Sequence, residues 1–396
     1  MIADKMKALG QHRSTIREVS EYANRRIAEI GRDKVFNFSL GNPSIPAPAK
    51  VGEVMRQLLE NTDPVLLHGY TSAPGAPAVR EKIAAYINRQ YHADAQASLI
   101  YMTCGAAASL TVSLHAIVNP GDEVIVLTPF FPEYRVFAEK AGARLVCVAC
   151  KEPNFSVDFA ALEAAITEKT KALILNSPNN PTGKVLTEEE IQHIAALLTE
   201  KKTAYGTDIF LLADEPYREL TYGDVTVPYI PLYYPDTIVC YSFSKSLSLP
   251  GERIGYIAVF PQMSRAQEVY DAVCGAGRAL GFVCAPSLLQ YTVAECMGET
   301  ADLSAYKKNR DRLYQALTAD GYETVHPDGA FYLFVKAPGH DSRAFCERAR
   351  QYELMLVPGD DFGCPGYVRI AYCVDYETIE RSLPAFAALI EEYRPG

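Results

Sequence analysis

Between about residue 95 and residue 260, short apolar runs rich in β-branched residues alternate with stretches of helical spacing. The runs 99–103, 123–127, 144–148, 172–176, 209–213, 238–242 and 255–259 read as strands. Their alternation with helices predicts a mainly parallel sheet covered on both faces. Ahead of them, Ile16, Val19, Ala23, Ile27 and Ile30 recur at helical spacing through 15–31, with Thr15 and Glu18 three apart as a capping box. After about residue 290 the pattern changes. Long helical stretches over 302–320 and 376–393 enclose short strands at 331–335, 354–357 and 368–372.

The fold class expected is therefore α/β. A large domain over 46–289 carries a mainly parallel seven-stranded sheet flanked by helices, and a smaller α+β domain is formed by both chain ends, 1–45 and 290–396. A chain of 396 residues exceeds what one hydrophobic core usually serves, which fits two domains. No internal repeat or low-complexity tract is found. The glycine-containing stretch 275–281 has Leu280 where a dinucleotide fingerprint needs its third glycine, and no strand feeds it.

Composition removes several function classes. A hydrophobic share of 48% with 22% charged residues is that of a globular protein, and no segment reaches the length of a membrane span. The net charge of -10 argues against a nucleic-acid binder. The start, Met1 to Arg13, has no apolar secretory core, so a cytoplasmic location is expected, with the ten cysteines reduced. Cys147 and Cys150 form the only CxxC, but three residues apart on a strand they point to opposite faces. No metal site is expected.

Ligands of parallel sheets collect at the carboxyl ends of the strands, and the candidate chemistry lies there. In Ser242-Phe243-Ser244-Lys245-Ser246-Leu247-Ser248, followed by Arg253, one lysine sits amid hydroxyls with a guanidinium downstream. A lysine amine can form a Schiff base with an aldehyde, while Ser242, Ser244 and Arg253 are groups that hold a phosphate. Pyridoxal phosphate carries both functions. Asp214 ends an apolar strand, where a partly desolvated carboxylate wants a cation such as a protonated pyridine nitrogen; a helix cap or an ion pair would also account for it. Tyr217, three residues on, offers a phenol to a ring hydroxyl.

Asn176-Ser177-Pro178-Asn179-Asn180-Pro181-Thr182-Gly183 is either a plain tight turn or a stiffened loop holding Asn180 against the cofactor. Thr103-Cys104-Gly105-Ala106-Ala107 turns from strand to helix through small residues, as close packing or as an anion site on free backbone amides. Phe130 and Phe131 follow the next strand as core or as a stacking face. Arg369 is a charge inside an apolar strand and needs a partner, an internal acid or a substrate carboxylate.

Together, and in this order, these segments resemble the class I/II aminotransferases of the pyridoxal-phosphate fold type I superfamily over nearly the whole chain. The resemblance implies roles: Lys245 as Schiff-base lysine, Asp214 as pyridinium partner, Asn180 and Tyr217 on the ring hydroxyl. Ser242, Ser244 and Arg253 would bind the phosphate with amides near Gly105, Ala106 and Ala107, and Phe131 would stack on the ring, with Phe130 as its neighbouring alternative. Arg369 would hold the substrate α-carboxylate beside Gly41, and Tyr70 would reach the phosphate of a neighbouring subunit, implying a homodimer with shared sites. Two departures stand out: Ala106 and Ala107 lack polar side chains, and the chain has no tryptophan for the stacking position.

The function implied is transfer of an amino group from an L-amino acid to a 2-oxo acid by a ping-pong mechanism, with aspartate the leading donor and aromatic amino acids or alanine next. Arg278, 33 positions after Lys245, is the candidate for a second carboxylate. A carbon-sulfur β-lyase on the same scaffold and a non-catalytic effector domain of a regulator are the alternatives. Amino acid and 2-oxo acid are the expected partners, without nucleic acid or membrane.

Overall fold

The computed structural model describes residues 2–11 and 14–394; Met1, His12, Arg13, Pro395 and Gly396, which the readings of both chain ends include, lie outside the described residues. Its centre is a seven-stranded sheet. From edge to edge the strands are Ile100–Thr103, Gly255–Ala258, Thr237–Ser242, Phe210–Asp214, Thr170–Asn176, Glu123–Thr128 and Arg144–Ala149. Gly255–Ala258 runs antiparallel to both its neighbours, and all other pairings are parallel. All seven expected strands are present. Phe210–Asp214 and Thr237–Ser242 are buried along their full length because helices cover both faces, whereas in the edge strand Arg144–Ala149 only Leu145 and Val148 are buried.

The parallel strands end on one rim, and reversal of Gly255–Ala258 brings its first residue to the same rim opposite Ser242 and Thr103. Asn176 stands beside Asp214 in register. Three carboxyl-end residues and the segment before Gly255 are thus placed around one crevice by pairing alone.

The smaller domain holds a four-stranded antiparallel sheet in the order Val357–Pro358, Tyr367–Ala371, Tyr332–Lys336, Thr324–Val325, covered by helices Leu303–Asp320 and Tyr376–Glu391. The start of the chain joins it: Phe36–Asn37 pairs in parallel with Leu354–Met355. The strand expected over 354–357 is therefore two short strands in two sheets, since the chain turns between Met355 and Val357.

Helix Thr15–Ile30 forms as expected, but its capping box does not. Ser14 occupies the cap position, Thr15 is already the first helical residue, and no side chain caps the end. Thr187 and Glu190 do form such a box, on helix Glu188–Tyr205. Residues 275–281 fall in and just past helix Ala266–Leu280, so the glycines there serve no phosphate loop. All ten cysteines are free. Among the described residues no helix is long and apolar enough to cross a membrane, and no cluster of acidic, histidine or cysteine side chains could hold a metal.

Candidate active site

A cavity of about 480 Å³ opens over the rim and is bordered by both domains, with Gly41, Phe131, Asn180, Asp214, Tyr217, Lys245, Arg253, Tyr332 and Arg369 among its lining. Lys245 rides on the one-turn helix Phe243–Ser246, whose start is capped by Ser242 accepting from the Ser244 amide. The same Ser242 hydroxyl donates to Ser244 Oγ at 2.8 Å. Lys245 Nζ donates to the Gly41 carbonyl at 2.6 Å. Burial lowers its pKa to about 8, with Cys373 opposing this and the positive Arg253 and Arg369 adding to it. A useful fraction of the amine is therefore neutral near pH 7 to 8.

Asp214 is 5% exposed. One carboxylate oxygen, Oδ2, accepts from Tyr134, and the other, Oδ1, has no partner. Desolvation raises its pKa to about 7, against the Tyr134 hydrogen bond. Adjacent Glu215 is gripped at 2.7 Å by Arg218, whose guanidinium lies 5.1 and 5.0 Å from the ring centres of the stacked Tyr91 and Tyr229. An orphaned buried carboxylate oxygen is costly unless a donor arrives.

The Asn176–Gly183 loop is held by its own side chains. Asn176 Nδ2 donates to the Asp214 carbonyl at 2.9 Å, and its Oδ1 accepts from the Asn180 amide at 2.7 Å. Asn180 Oδ1 accepts from Arg369 at 3.0 Å, which leaves its amide hydrogens for another acceptor. Arg369, 1% exposed, also donates to the Ser39 carbonyl and lies over the rings of Tyr332 and Phe362 at 4.6 and 5.0 Å. It has no acidic partner among the described residues, and its Nε is unpaired. The internal acid allowed by the sequence is absent there.

Gly105, at φ +88, caps helix Ala106–Ile117, and a Cβ on it would lie 3.0 Å from Arg253. Only glycine lets the guanidinium approach these free amides. Arg253 itself is exposed and reaches Ser244 Oγ at 3.5 Å. Phe131 borders the cavity, while Phe130 is buried among core residues. Tyr217 shares a hydrogen bond of 2.9 Å with Tyr332.

Two sequence candidates are not brought into the cavity of their own chain. Arg278 is exposed on the last turn of helix Ala266–Leu280, and Tyr70 is 99% exposed. The sequence did not reveal the partners Tyr134, Tyr332 and Ser39, nor Arg17, which reaches the cavity mouth from helix Thr15–Ile30.

The residues present fit pyridoxal phosphate. An unpaired buried carboxylate oxygen on the cavity would suit a protonated pyridine nitrogen, an amine of lowered pKa is at hand, and free helix amides with an arginine form an anion cradle. Residues 33–386 match the family described as aminotransferase class I and II. A crystal structure of an aminotransferase from Eubacterium rectale is similar at 50% identity, with a TM-score of 0.98 and 100% of each chain covered. Aspartate aminotransferase of Thermus thermophilus, solved with maleate, is similar at 28% identity and a TM-score of 0.87, over 98% of this chain and 99% of that one. The probable aspartate aminotransferase of Methanocaldococcus jannaschii is 29% identical over 96% of this chain and 99% of its own.

Proposed function

The chain belongs to the class I and II aminotransferases, pyridoxal-phosphate-dependent enzymes, and on that premise we propose that it moves the amino group of an acidic L-amino acid, aspartate first, to a 2-oxo acid. The reading is carried by two buried groups left without partners on one cavity, Asp214 Oδ1 and Arg369 Nε. The first suits a ring N–H and the second a substrate carboxylate.

Bound there, pyridoxal phosphate supplies an aldehyde for the amine and a ring that accepts electrons from Cα. Lys245 anchors it and afterwards moves the proton at the substrate Cα. Asp214 holds the pyridine nitrogen protonated. Tyr217 and the side-chain amide Nδ2 of Asn180 would donate to the ring oxygen, and Phe131 would pack on the ring. Ser242, Ser244, Arg253 and the amides of Gly105, Ala106 and Ala107 take the phosphate, with the two alanines contributing backbone only. Arg369, steadied by Asn180 and the Ser39 carbonyl, fixes the α-carboxylate against Gly41. Arg369→Lys keeps the charge and loses the fork, so kcat/KM for every amino donor should fall roughly 10- to 100-fold. Steady-state kinetics across several donors check this, and an effect confined to one donor would contradict it.

For the side-chain carboxylate, Arg17 borders the cavity of its own chain, whereas Arg278 is exposed and would serve the site of a neighbouring subunit. Arg17→Ala should raise KM for aspartate roughly threefold to tenfold and leave alanine unchanged. Glu133 on the same rim disfavours acidic donors, so the contrast between the two donors is the informative quantity. Half-reaction rates over a panel of amino donors, followed by cofactor absorbance, test the substrate assignment; aromatic donors or alanine outpacing aspartate would replace it. The alternatives of β-elimination and of a regulator's effector domain are not favoured by relatives that are aminotransferases. A homodimer is proposed because Tyr70, with Val65 and Leu66 beside it, projects fully from its own chain.

A further inference from the structure

Tyr332 touches three parts of the site that the proposed reaction uses separately. Its hydroxyl lies 2.9 Å from that of Tyr217, and the Arg369 guanidinium sits 4.6 Å from its ring centre. A Cβ on Gly41 would stand 2.0 Å from the Tyr332 hydroxyl oxygen. The residue is 2% exposed and borders the cavity.

Strand register fixes this arrangement. Tyr332 pairs with Ala371 and Phe334 with Arg369, so Tyr332 and Arg369 are diagonal neighbours on one face of the antiparallel sheet. The hydroxyl then overhangs Gly41, where any side chain would push it away from Tyr217.

We propose that Tyr332 is a positioning residue that tunes the bound cofactor by donating its hydroxyl hydrogen to Tyr217, which leaves the Tyr217 hydrogen for the cofactor's ring oxygen. The inference rests on the reading of Tyr217 as a ligand of that oxygen. A phenol has one hydrogen and two acceptor sites, so if Tyr217 gave its hydrogen to Tyr332 it would have none to give. The cation over the Tyr332 ring draws electron density from its phenol and strengthens that O–H as a donor. A hydrogen bond received by Tyr217 in turn polarises its own O–H, so the two act in series.

The sign of the effect follows. A donor at the ring oxygen spreads its negative charge; a weaker donor leaves more charge there, and the nitrogen linking cofactor to Lys245 keeps its proton to higher pH. Tyr332→Phe retains the ring and its packing on Arg369 while removing the hydroxyl.

In holoenzyme titrated by cofactor absorbance, Tyr332→Phe should raise the midpoint by roughly 0.5 to 1 unit, and Tyr217→Phe should raise it further. The double variant should match Tyr217→Phe alone, because Tyr332 acts only through Tyr217. KM for the amino donor and the melting temperature of the cofactor-free protein should change little. An unmoved midpoint in Tyr332→Phe beside a shifted one in Tyr217→Phe overturns the inference, as do additive shifts in the double variant. A midpoint that Tyr217→Phe itself leaves in place overturns the assignment of Tyr217 and this inference with it.

Discussion

Lys245→Ala should abolish turnover, by roughly four orders of magnitude or more, and with it the covalent attachment of the cofactor. The expectation follows from three properties of one amine. It lies on the cavity within 2.6 Å of the Gly41 carbonyl, its pKa is lowered to about 8, and among the described residues no second lysine lines the site. Neighbouring Arg253 and Arg369 cannot replace it, because a guanidinium stays protonated and offers no nucleophile. Borohydride reduction followed by peptide mass analysis should find the cofactor on Lys245 in the wild type and on no residue in the variant. A small added amine should restore part of the proton transfer, since the variant leaves room where the side chain stood. Near-normal turnover in Lys245→Ala would sink the whole assignment.

Asp214→Asn should lower turnover by roughly two to four orders of magnitude, the scale of removing one partner from a buried charge pair. The same substitution should make the cofactor-free protein more stable at neutral pH. In that state Asp214 has a folded pKa of about 7, raised by desolvation, against an unfolded value near 3.9. A carboxylate whose folded pKa is raised favours the fold fully below the unfolded value, and that contribution is lost as pH rises through the folded one. The melting temperature of the cofactor-free wild type should therefore fall relative to Asp214→Asn between about pH 4 and pH 7. Parallel melting curves for the two proteins across that range would remove the burial argument. Function and stability are opposed at this residue, which is expected of a group placed for a ligand and not for the fold.

Much of this was legible in the chain. The central strands of the large sheet announce themselves because strands covered on both faces must be apolar throughout, and the edge strand Arg144–Ala149, though partly exposed, keeps an apolar run of its own. Site residues that follow strand ends, such as Asp214, Asn180 and Lys245, were legible for the same reason: a polar group directly after a buried strand stands at the rim. What escaped was contact across long separations. The Tyr134 hydroxyl meets Asp214 from 80 positions away, and the Ser39 carbonyl meets Arg369 from 330, through backbone or aromatic groups that carry no local signature. Spacing from Lys245 says nothing about which way a helix turns its face, and Arg278 is exposed on its own chain. Thr15 and Glu18 misled because a capping box depends on where the helix begins, and it begins one residue earlier than the pattern required.

The amine of Lys245 on the Gly41 carbonyl, 204 positions away, and Arg369 on Asn180, 189 positions away, tie the start, middle and end of the chain together at one point. Contacts of such separation are slow to form, because the intervening chain must be ordered before they hold. No contiguous fragment contains the site, and a chain with any one of the three segments undocked presents only part of it. Uptake of the yellow cofactor thus doubles as an inspection of the finished molecule, and a preparation's colour per unit protein is a measure of how much of it has completed folding.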